Sequence, residues 1–354
     1  MVIPMKILYV SSRTQHFLED IVYHGLITLF GRKSVVDYPP KLTYHCSDLQ
    51  SKCECSRPAL CFFDKKPFDY YKDLEKPNIE DFDLIVLSSI RPDVFTTTKE
   101  ILEASKNHGI KTVFLDGEDD ILIRYIYRYV DYYFKRETLP KNFMSIINSI
   151  AIEERRKLIL QKNFMSNLLR GNYLSVPIGL SNFYNPVPLT FGIIDYGYKP
   201  PKEKEFDISF IATLKSSKLR FTVYNFLKKY VQKRKLNAFI GTGLSWQKYM
   251  DILGKSKISI SVRGVGFDTY RYWEIPYAGA MLLSEKPDII IPNNFQPGVN
   301  AAFFKDLKEL KKQLDFYVNN DEALEIAKRG RNFVLKSHTS VSRAKTIIRL
   351  TKLC

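Results

Sequence analysis

The sequence predicts two doubly wound α/β domains joined in mid-chain, and three observations carry that expectation. In both halves, short apolar runs of strand length alternate with segments of helical periodicity, the pattern of parallel strands joined by crossover helices. A run rich in proline and glycine, Val176 to Asp207, separates the halves. The length of 354 residues suits two domains of ordinary size.

In the first half, KILYVSS (Lys6 to Ser12) reads as a strand ending in small polar residues, and Phe17 to Phe30 as a helix stopped at Gly31. Ser34 to Tyr38 is a second strand, closed by Pro39 and Pro40. DFDLIVLSS (Asp81 to Ser89) is a third, and Thr97 to Asn107 a helix ending before Gly109. KTVFLDGEDD (Lys111 to Asp120) is a fourth strand spilling into an acidic loop, Asp131 to Phe134 a candidate fifth, and residues 141–170 read as helical and charged. Asp119 and Asp120 stand where they would cap a helix over ILIRYIYRYV. After the linker come a strand at Ile208 to Leu214, an amphipathic helix at Lys218 to Lys233, a strand at Asn237 to Gly243 and a short helix at Trp246 to Leu253. Helices are expected again over 307–318, 322–336 and 342–353, the last capped by Thr339 or Ser340 beside His338.

The stretch Ser256 to Pro297 concentrates the candidate chemistry. A strand (Ile258 to Val262) leads into a loop holding Arg263, Gly264 and Gly266, and then into a helix-like segment, Tyr270 to Ala278. On that helix Arg271 and Glu274 are three apart and leave one face. Gly279 fits a helix C-cap before the strand Met281 to Ser284. A strand, a glycine loop and a helix start bearing cations make a cradle for an anion. A second set follows the strand ISFIATL, where Thr213, Lys215, Lys218 and Arg220 lie at the start of a helix.

Composition narrows the classes. The 45% hydrophobic content is that of a globular protein, and no window nears eighteen consecutive apolar residues. MVIPMKILYVSS lacks a small-residue cleavage site, so a cytoplasmic protein is expected. The 54 Lys and Arg against 38 Asp and Glu give a formal charge of +16, which attracts nucleotides, nucleic acid and acidic membrane surfaces alike. The lysines read as spread along the chain, which favours a solvated basic surface over a dedicated nucleic-acid patch. Cys46, Cys53, Cys55 and Cys61 fall in one segment inside the loop 40–65, with His45 adjacent. Their spacing matches no standard zinc ribbon, and a structural zinc site, disulfides and free thiols remain open, disulfides being disfavoured in a cytosolic protein.

SKISISVRGVGFDTYRYWEIPYAGAMLL, FQPGVNAAFF and ALEIAKRGRNFVLKSHTSVSRA together resemble the C-terminal domain of CgeB-like glycosyltransferases. FDISFIATLKSSKLR resembles that family's first C-domain strand with its downstream arginine, and Arg271, Glu274 and Gly279 are similar to the exostosin-type R-x-x-E-x4-G pattern and to the E-A-x-x-x-G segment of family 4 glycosyltransferases. The resemblance covers the C-terminal half; in the N-terminal half only LDGEDD, YFKRE and VPLTFGI are similar to related glycosyltransferases. It implies the GT-B fold: an N-terminal Rossmann-like acceptor domain over 1–190, a donor domain over 206–337, a cleft between them, and a last helix (338–354) crossing back to the first domain. It also implies a nucleotide-diphosphate sugar as donor, with Glu274 on its ribose and basic residues on its diphosphate. The expected donor-binding set is therefore Thr213, Lys215, Arg220, Arg263, Gly264, Gly266, Arg271 and Glu274. Family 4 enzymes carry a second glutamate seven residues earlier, where this sequence has Phe267 with Asp268 beside it.

Arginines, lysines and a helix dipole can neutralise a leaving diphosphate without a metal, so no cofactor is expected for transfer. On the acceptor side, Asp116 and Glu118 follow the fourth predicted strand and His16 follows the first. These three are the candidate general bases for an acceptor hydroxyl, the acceptor being a glycan, a lipid-linked group, a protein or a nucleic acid. A sugar- or nucleotide-binding module without catalysis, and an enzyme that glycosylates modified DNA bases, are the competing expectations.

Overall fold

The computed structural model describes residues 5–13, 17–41, 44, 76–120, 123–140 and 186–351. The chain divides into two compact units. One runs to Thr190 and takes the chain back from Arg343 onward, and the other spans Phe191–Ser342.

The first unit holds a parallel sheet of order β2-β1-β3-β4-β5-β6. Its strands are β1 (Ile7–Val10), β2 (Val35–Asp37), β3 (Leu84–Leu87), β4 (Lys111–Asp116), β5 (Tyr132–Lys135) and β6 (Val187–Pro188). Every residue of β1 and β3 is fully buried, which is why these strands read as unbroken apolar runs instead of alternating ones. Helices α1 (Phe17–Phe30) and α2 (Phe95–Asn107) follow β1 and β3. The returning chain is tied in by Arg343, which donates from Nε to the Thr190 carbonyl at 2.9 Å and from Nη2 to its hydroxyl at 3.2 Å.

The second unit holds β7 (Phe206–Ile211), β8 (Ala238–Gly241), β9 (Ser256–Ser261), β10 (Met281–Glu285) and β11 (Ala302–Phe304) in the order β11-β10-β9-β7-β8, again parallel. Its helices are α3 (Lys218–Arg234), α4 (Trp246–Gly254), α5 (Tyr270–Tyr277), α6 (Leu307–Tyr317) and α7 (Glu322–Ser337), and α8 (Ser340–Thr351) follows them. Apolar residues of β7, β9 and β10, such as Phe210, Ile260 and Leu283, join Val223 and Leu227 of α3 and Leu310 and Leu314 of α6 in one core. The Thr339 hydroxyl accepts from the Ser342 amide at 3.2 Å and so caps α8.

Two expectations need correction. The proline-rich run is no free linker where it is described: Val187–Pro188 pairs with β5, and the chain after Thr190 lies folded along the second unit. The Tyr277 hydroxyl accepts from the Tyr198 amide at 3.1 Å, Arg331 donates to the Tyr198 carbonyl at 2.6 Å, and Lys204 donates to the Gly254 and Gly279 carbonyls at 2.6 Å each. Proline content suggested a tether, while backbone bonds at Tyr198, the Lys204 ammonium and the side chains of Tyr196, edge-on to Trp246 and Tyr277, and Tyr198, donating to the Met250 carbonyl at 3.1 Å, supply the adhesion. The segment after Asp120 forms a short 3-10 turn, Tyr125–Arg128, in place of an α-helix in its described part, because the Arg124 amide donates to the Tyr133 hydroxyl at 3.0 Å. The helical expectation over 141–170 lies outside the described residues.

Candidate functional site

In the second sheet the chain passes from β7 outward to β8, then returns to β9 on the other side of β7. Loops leaving the carboxyl ends of β7 and β9 therefore diverge, and such a switch point leaves a crevice for a ligand. The β7 loop runs through a 3-10 turn, Leu214–Ser216, to Ser217, whose hydroxyl accepts from the Leu219 amide at 3.2 Å and caps α3. The β9 loop runs from Val262 to Thr269, the cap residue of α5.

Arg220, near the start of α3 and only 6% exposed, fastens these two loops together. Its guanidinium donates to the Arg263 carbonyl at 3.0 Å, the Val262 carbonyl at 3.4 Å and the Thr213 carbonyl at 3.2 Å, and also to the Ser216 hydroxyl. Gly264 exists for this arginine: a Cβ there would stand 2.7 Å from Arg220 Nη2. The Gly264 amide donates to the Gly266 carbonyl at 3.0 Å and closes the loop into a tight turn.

Arg271 of α5 donates from Nη2 to the Val262 carbonyl at 3.3 Å, so two guanidinium groups meet at one backbone position. A third, Arg263, is oriented by Glu285 at the carboxyl end of β10. The Arg263 amide donates to Glu285 Oε2 at 3.0 Å, its Nε lies 3.3 Å from Oε1, and the Phe267 ring sits 4.7 Å from the guanidinium. Burial raises the Glu285 carboxyl above its ordinary range although Arg263 works against the shift. Lys215 and Thr213 are exposed on the β7 loop. Glu274, 8% exposed, accepts from the Tyr249 hydroxyl of α4 at 2.8 Å. Three arginines, Arg220, Arg263 and Arg271, thus line the β7 and β9 loops beside the carboxylates Glu274 and Glu285, and cations set at the carboxyl ends of parallel strands suit an anionic ligand.

Asp268 has a different task. Its Oδ2 accepts from the Phe191 amide at 2.5 Å and its Oδ1 from the Trp273 indole at 2.8 Å. With the Phe191 ring stacked on Tyr270 at 4.6 Å, this carboxylate anchors the loop to the first residue of the second unit. Glu285 and Tyr249 were missed from the sequence. Glu285 carried a usable signal, since a carboxylate closing the strand MLLSE must emerge at the ligand end of a parallel sheet.

In the first unit, a concavity at the carboxyl ends of β3 and β4 is lined by Ser88, Arg91, Asp116, Glu118 and Arg124 among others. Asp116 is 2% exposed and enclosed by its partners: the Tyr133 hydroxyl, Lys135 Nζ at 3.0 Å, the Glu118 amide at 3.2 Å and Arg124 Nε at 3.8 Å. Burial, and then the Asp116 charge, push the Tyr133 phenol well above its ordinary range. Glu118 pairs with Arg91 at 3.1 Å and keeps 39% of its side chain exposed. Asp119 pairs with Arg136, and Asp120 with Arg124 at 2.5 Å. His16 and the four cysteines Cys46, Cys53, Cys55 and Cys61 lie outside the described residues. Among the described residues, no group of three or more His, Cys, Asp or Glu is placed to hold a metal, and no helix is long and apolar enough to cross a membrane.

Residues 208–349 match the family described as glycosyl transferase-like, a stretch that contains every residue of the donor set above. No curated protein matches the chain in sequence. Solved structures similar to it include an alpha-glucosyltransferase in complex with UDP and a 13-mer DNA containing a HMU base, at a TM-score of 0.55 and 11% identity over 98% of this chain and 99% of that one. An alpha-glucosyltransferase in complex with UDP gives a TM-score of 0.54 at 11% identity, covering 98% and 100%. One in complex with UDP-glucose and DNA containing an abasic site gives 0.53 at 11% identity, covering 98% and 99%. At that identity the likeness speaks for the fold, and with two parallel α/β units of this topology the fold is of the GT-B type.

Proposed function

We propose that the protein is a glycosyltransferase that takes its sugar from a nucleoside diphosphate sugar, and that within this class it belongs with the CgeB-like enzymes. The observation that supports this most is the meeting of Arg220, Arg263 and Arg271 at the switch point of β7 and β9, inside the stretch that matches the glycosyl transferase-like family. Lys215, Arg263 and Arg271 contact the diphosphate, while Arg220 holds the two loops in register. Thr213, Gly264 and Gly266 let the backbone approach the phosphates. Glu274 takes the ribose hydroxyls, its carboxylate oriented by Tyr249.

Cleavage of the bond to the anomeric carbon leaves negative charge on the departing diphosphate. Cations already in place stabilise that charge most where little reorganisation is needed, and Arg220 and Glu285 supply the rigidity. The arginines perform this without a divalent ion, so transfer is expected to persist in EDTA. On the acceptor side, Glu118 is the exposed carboxylate of the β4 loop and takes the acceptor proton. Asp116 keeps the loop in place, and His16 is the other candidate base. UDP is the first donor nucleotide to try, because solved structures of this fold hold UDP or UDP-glucose.

A thermal-shift screen of the whole protein against UDP, GDP and dTDP tests the reading, since a bound nucleotide raises apparent stability by mass action. Stabilisation by one of them, abolished by Glu274→Ala without loss of fold, is the expected outcome. An unchanged shift in Glu274→Ala would remove the ribose assignment, and no shift with any nucleotide would remove the donor site.

A second reading concerns the acceptor. The net charge of +16, together with fold neighbours solved with DNA, favours a nucleic-acid base as the hydroxyl-bearing acceptor over a glycan, lipid-linked or protein hydroxyl. Transfer of labelled sugar to hydroxymethylated DNA, with none to unmodified DNA, is the outcome that supports it.

A further inference from the structure

The basic charge, which reads as scattered along the sequence, is concentrated in one part of the fold. From Ile208 to Met250 the chain carries nine Lys and Arg and no Asp or Glu. This stretch contains β7, β8 and α3 at one edge of the second sheet, where β8 pairs only with β7. Along α3 the exposed positions Lys218, Thr222, Asn225, Lys229, Gln232 and Lys233 recur three and four apart, and so form a single stripe down one helix face. The opposite face, with Val223, Leu227 and Tyr230, is buried in the core. Lys218, Lys228, Lys229, Lys233 and, just past the helix, Lys235 have no carboxylate partner among the described residues; Lys228 lies over the Tyr224 ring at 5.6 Å. Arg234, by contrast, is paired with Asp315 at 2.6 Å.

We propose that this stripe on α3 is a docking surface for the sugar-phosphate backbone of a nucleic acid. Its chemistry fits that occupant. Hydroxyl and amide groups alternate with ammonium groups, and both kinds bond phosphate and sugar oxygens. A helix that lies on a lipid surface sets an apolar stripe beside its lysines, whereas the one large apolar side chain exposed on α3 is Phe221. Seventeen helical residues extend about 25 Å, alongside about seven base-pair steps of duplex. Contacts of this kind read no sequence. They concentrate the partner and set its direction. The stripe starts at Lys218 beside the β7 loop and runs along α3 away from the donor loops, and it does not depend on nucleic acid being the acceptor.

The test is fluorescence anisotropy of a labelled duplex of about 20 base pairs, titrated with the whole protein over a range of salt. Binding at low salt that weakens linearly in log–log with salt is expected. Replacing Lys228, Lys229 and Lys233 together by Gln should weaken it about tenfold or more at moderate salt and flatten the slope by about 3. Asn225→Glu, which places a carboxylate in the middle of the stripe, should weaken it as well. The thermal midpoint and the UDP-induced shift of these variants should match the parent, so a folding defect or a failed donor site is read apart from a failed docking surface. No duplex binding at low salt would overturn the proposal. Equal affinity and slope in the variants, or retention on anionic phospholipid vesicles in place of duplex, would overturn it too.

Discussion

The acidic loop after β4 and the arginine loop after β9 each leave the carboxyl end of a parallel strand in their own sheet. They treat charge in opposite ways. Asp116 is closed in by Lys135, Tyr133 and Arg124, and its neighbours Asp119 and Asp120 each hold an arginine. Charge on the first loop is spent on its own structure, with Glu118 left partly in water. The second loop gathers three guanidiniums beside Glu285 and Glu274, with two of them, on Arg220 and Arg271, bonded to backbone carbonyls of the loop. A carboxylate satisfied from several sides stabilises a shape, while cations held rigidly at a loop can receive a ligand.

This contrast breaks most sharply if Asp116 is removed. Asp116→Ala leaves Lys135, which is 1% exposed, with only the more distant Asp120 at 3.8 Å, and taking the close partner from a buried charge costs up to about 3–5 kcal/mol. Urea unfolding should show that loss, and UDP should not restore it. A loss below about 1 kcal/mol would mean the loop carries no such burden. Next in size, Arg220→Lys removes a planar group that reaches both loops of the second unit, and lysine cannot replace that fork. A loss of about 2–3 kcal/mol is expected, together with loss of the UDP-induced shift. Preserved UDP binding would show that the loops hold their register without it.

Glu285→Gln keeps the shape but frees Arg263 from its counter-charge. Stability should change by about 1 kcal/mol or less, while the donor KM rises more than kcat falls. An unchanged KM would detach Arg263 from the diphosphate. A separate effect, confined to acid, belongs to the first unit. Burial holds the His24 imidazole down at about 4, against 6.5 when unperturbed. The unfolded chain therefore binds more protons between these values, and stability is present above pH 6.5 and lost as pH falls toward 4. His24→Gln should flatten that limb of the pH–stability curve by about 1–2 kcal/mol. An unaltered curve would place the acid sensitivity elsewhere.

Much of the fold was legible because buried parallel strands announce themselves. β1 and β3 are continuous apolar runs, β4 is apolar along its middle, β7 and β9 set apolar residues at alternate positions, and α1, α3 and α4 begin where the periodicity changes. β6, of two residues, and β11, of three, were not legible, whereas β2, as short as β11, was marked by the Gly31 before it and the Pro39 and Pro40 after it. The strap after Thr190 was misread because Pro200 and Gly197 dominate its composition, while Tyr196 and Tyr198 bind it to the second unit. In the site, spacing revealed Arg271 and Glu274 because a helix turns three-apart residues into neighbours. It could not reveal that Arg220 spends its guanidinium on backbone carbonyls, nor that Glu285, 22 residues beyond Arg263 in the chain, holds that arginine. Such pairings are made by adjacency of strands, which sequence distance conceals.

The close approach of Gly264 to Arg220 has an evolutionary consequence. A side chain at 264 needs the space that Arg220 Nη2 occupies, and a shorter residue at 220 would leave both loops without their tie. A change at either position therefore asks the other to move, so substitutions at the two should tend to occur together. Relatives that keep an arginine at 220 should keep glycine at 264. Any that have lost the arginine should show, between the β7 and β9 loops, a different solution to the same problem.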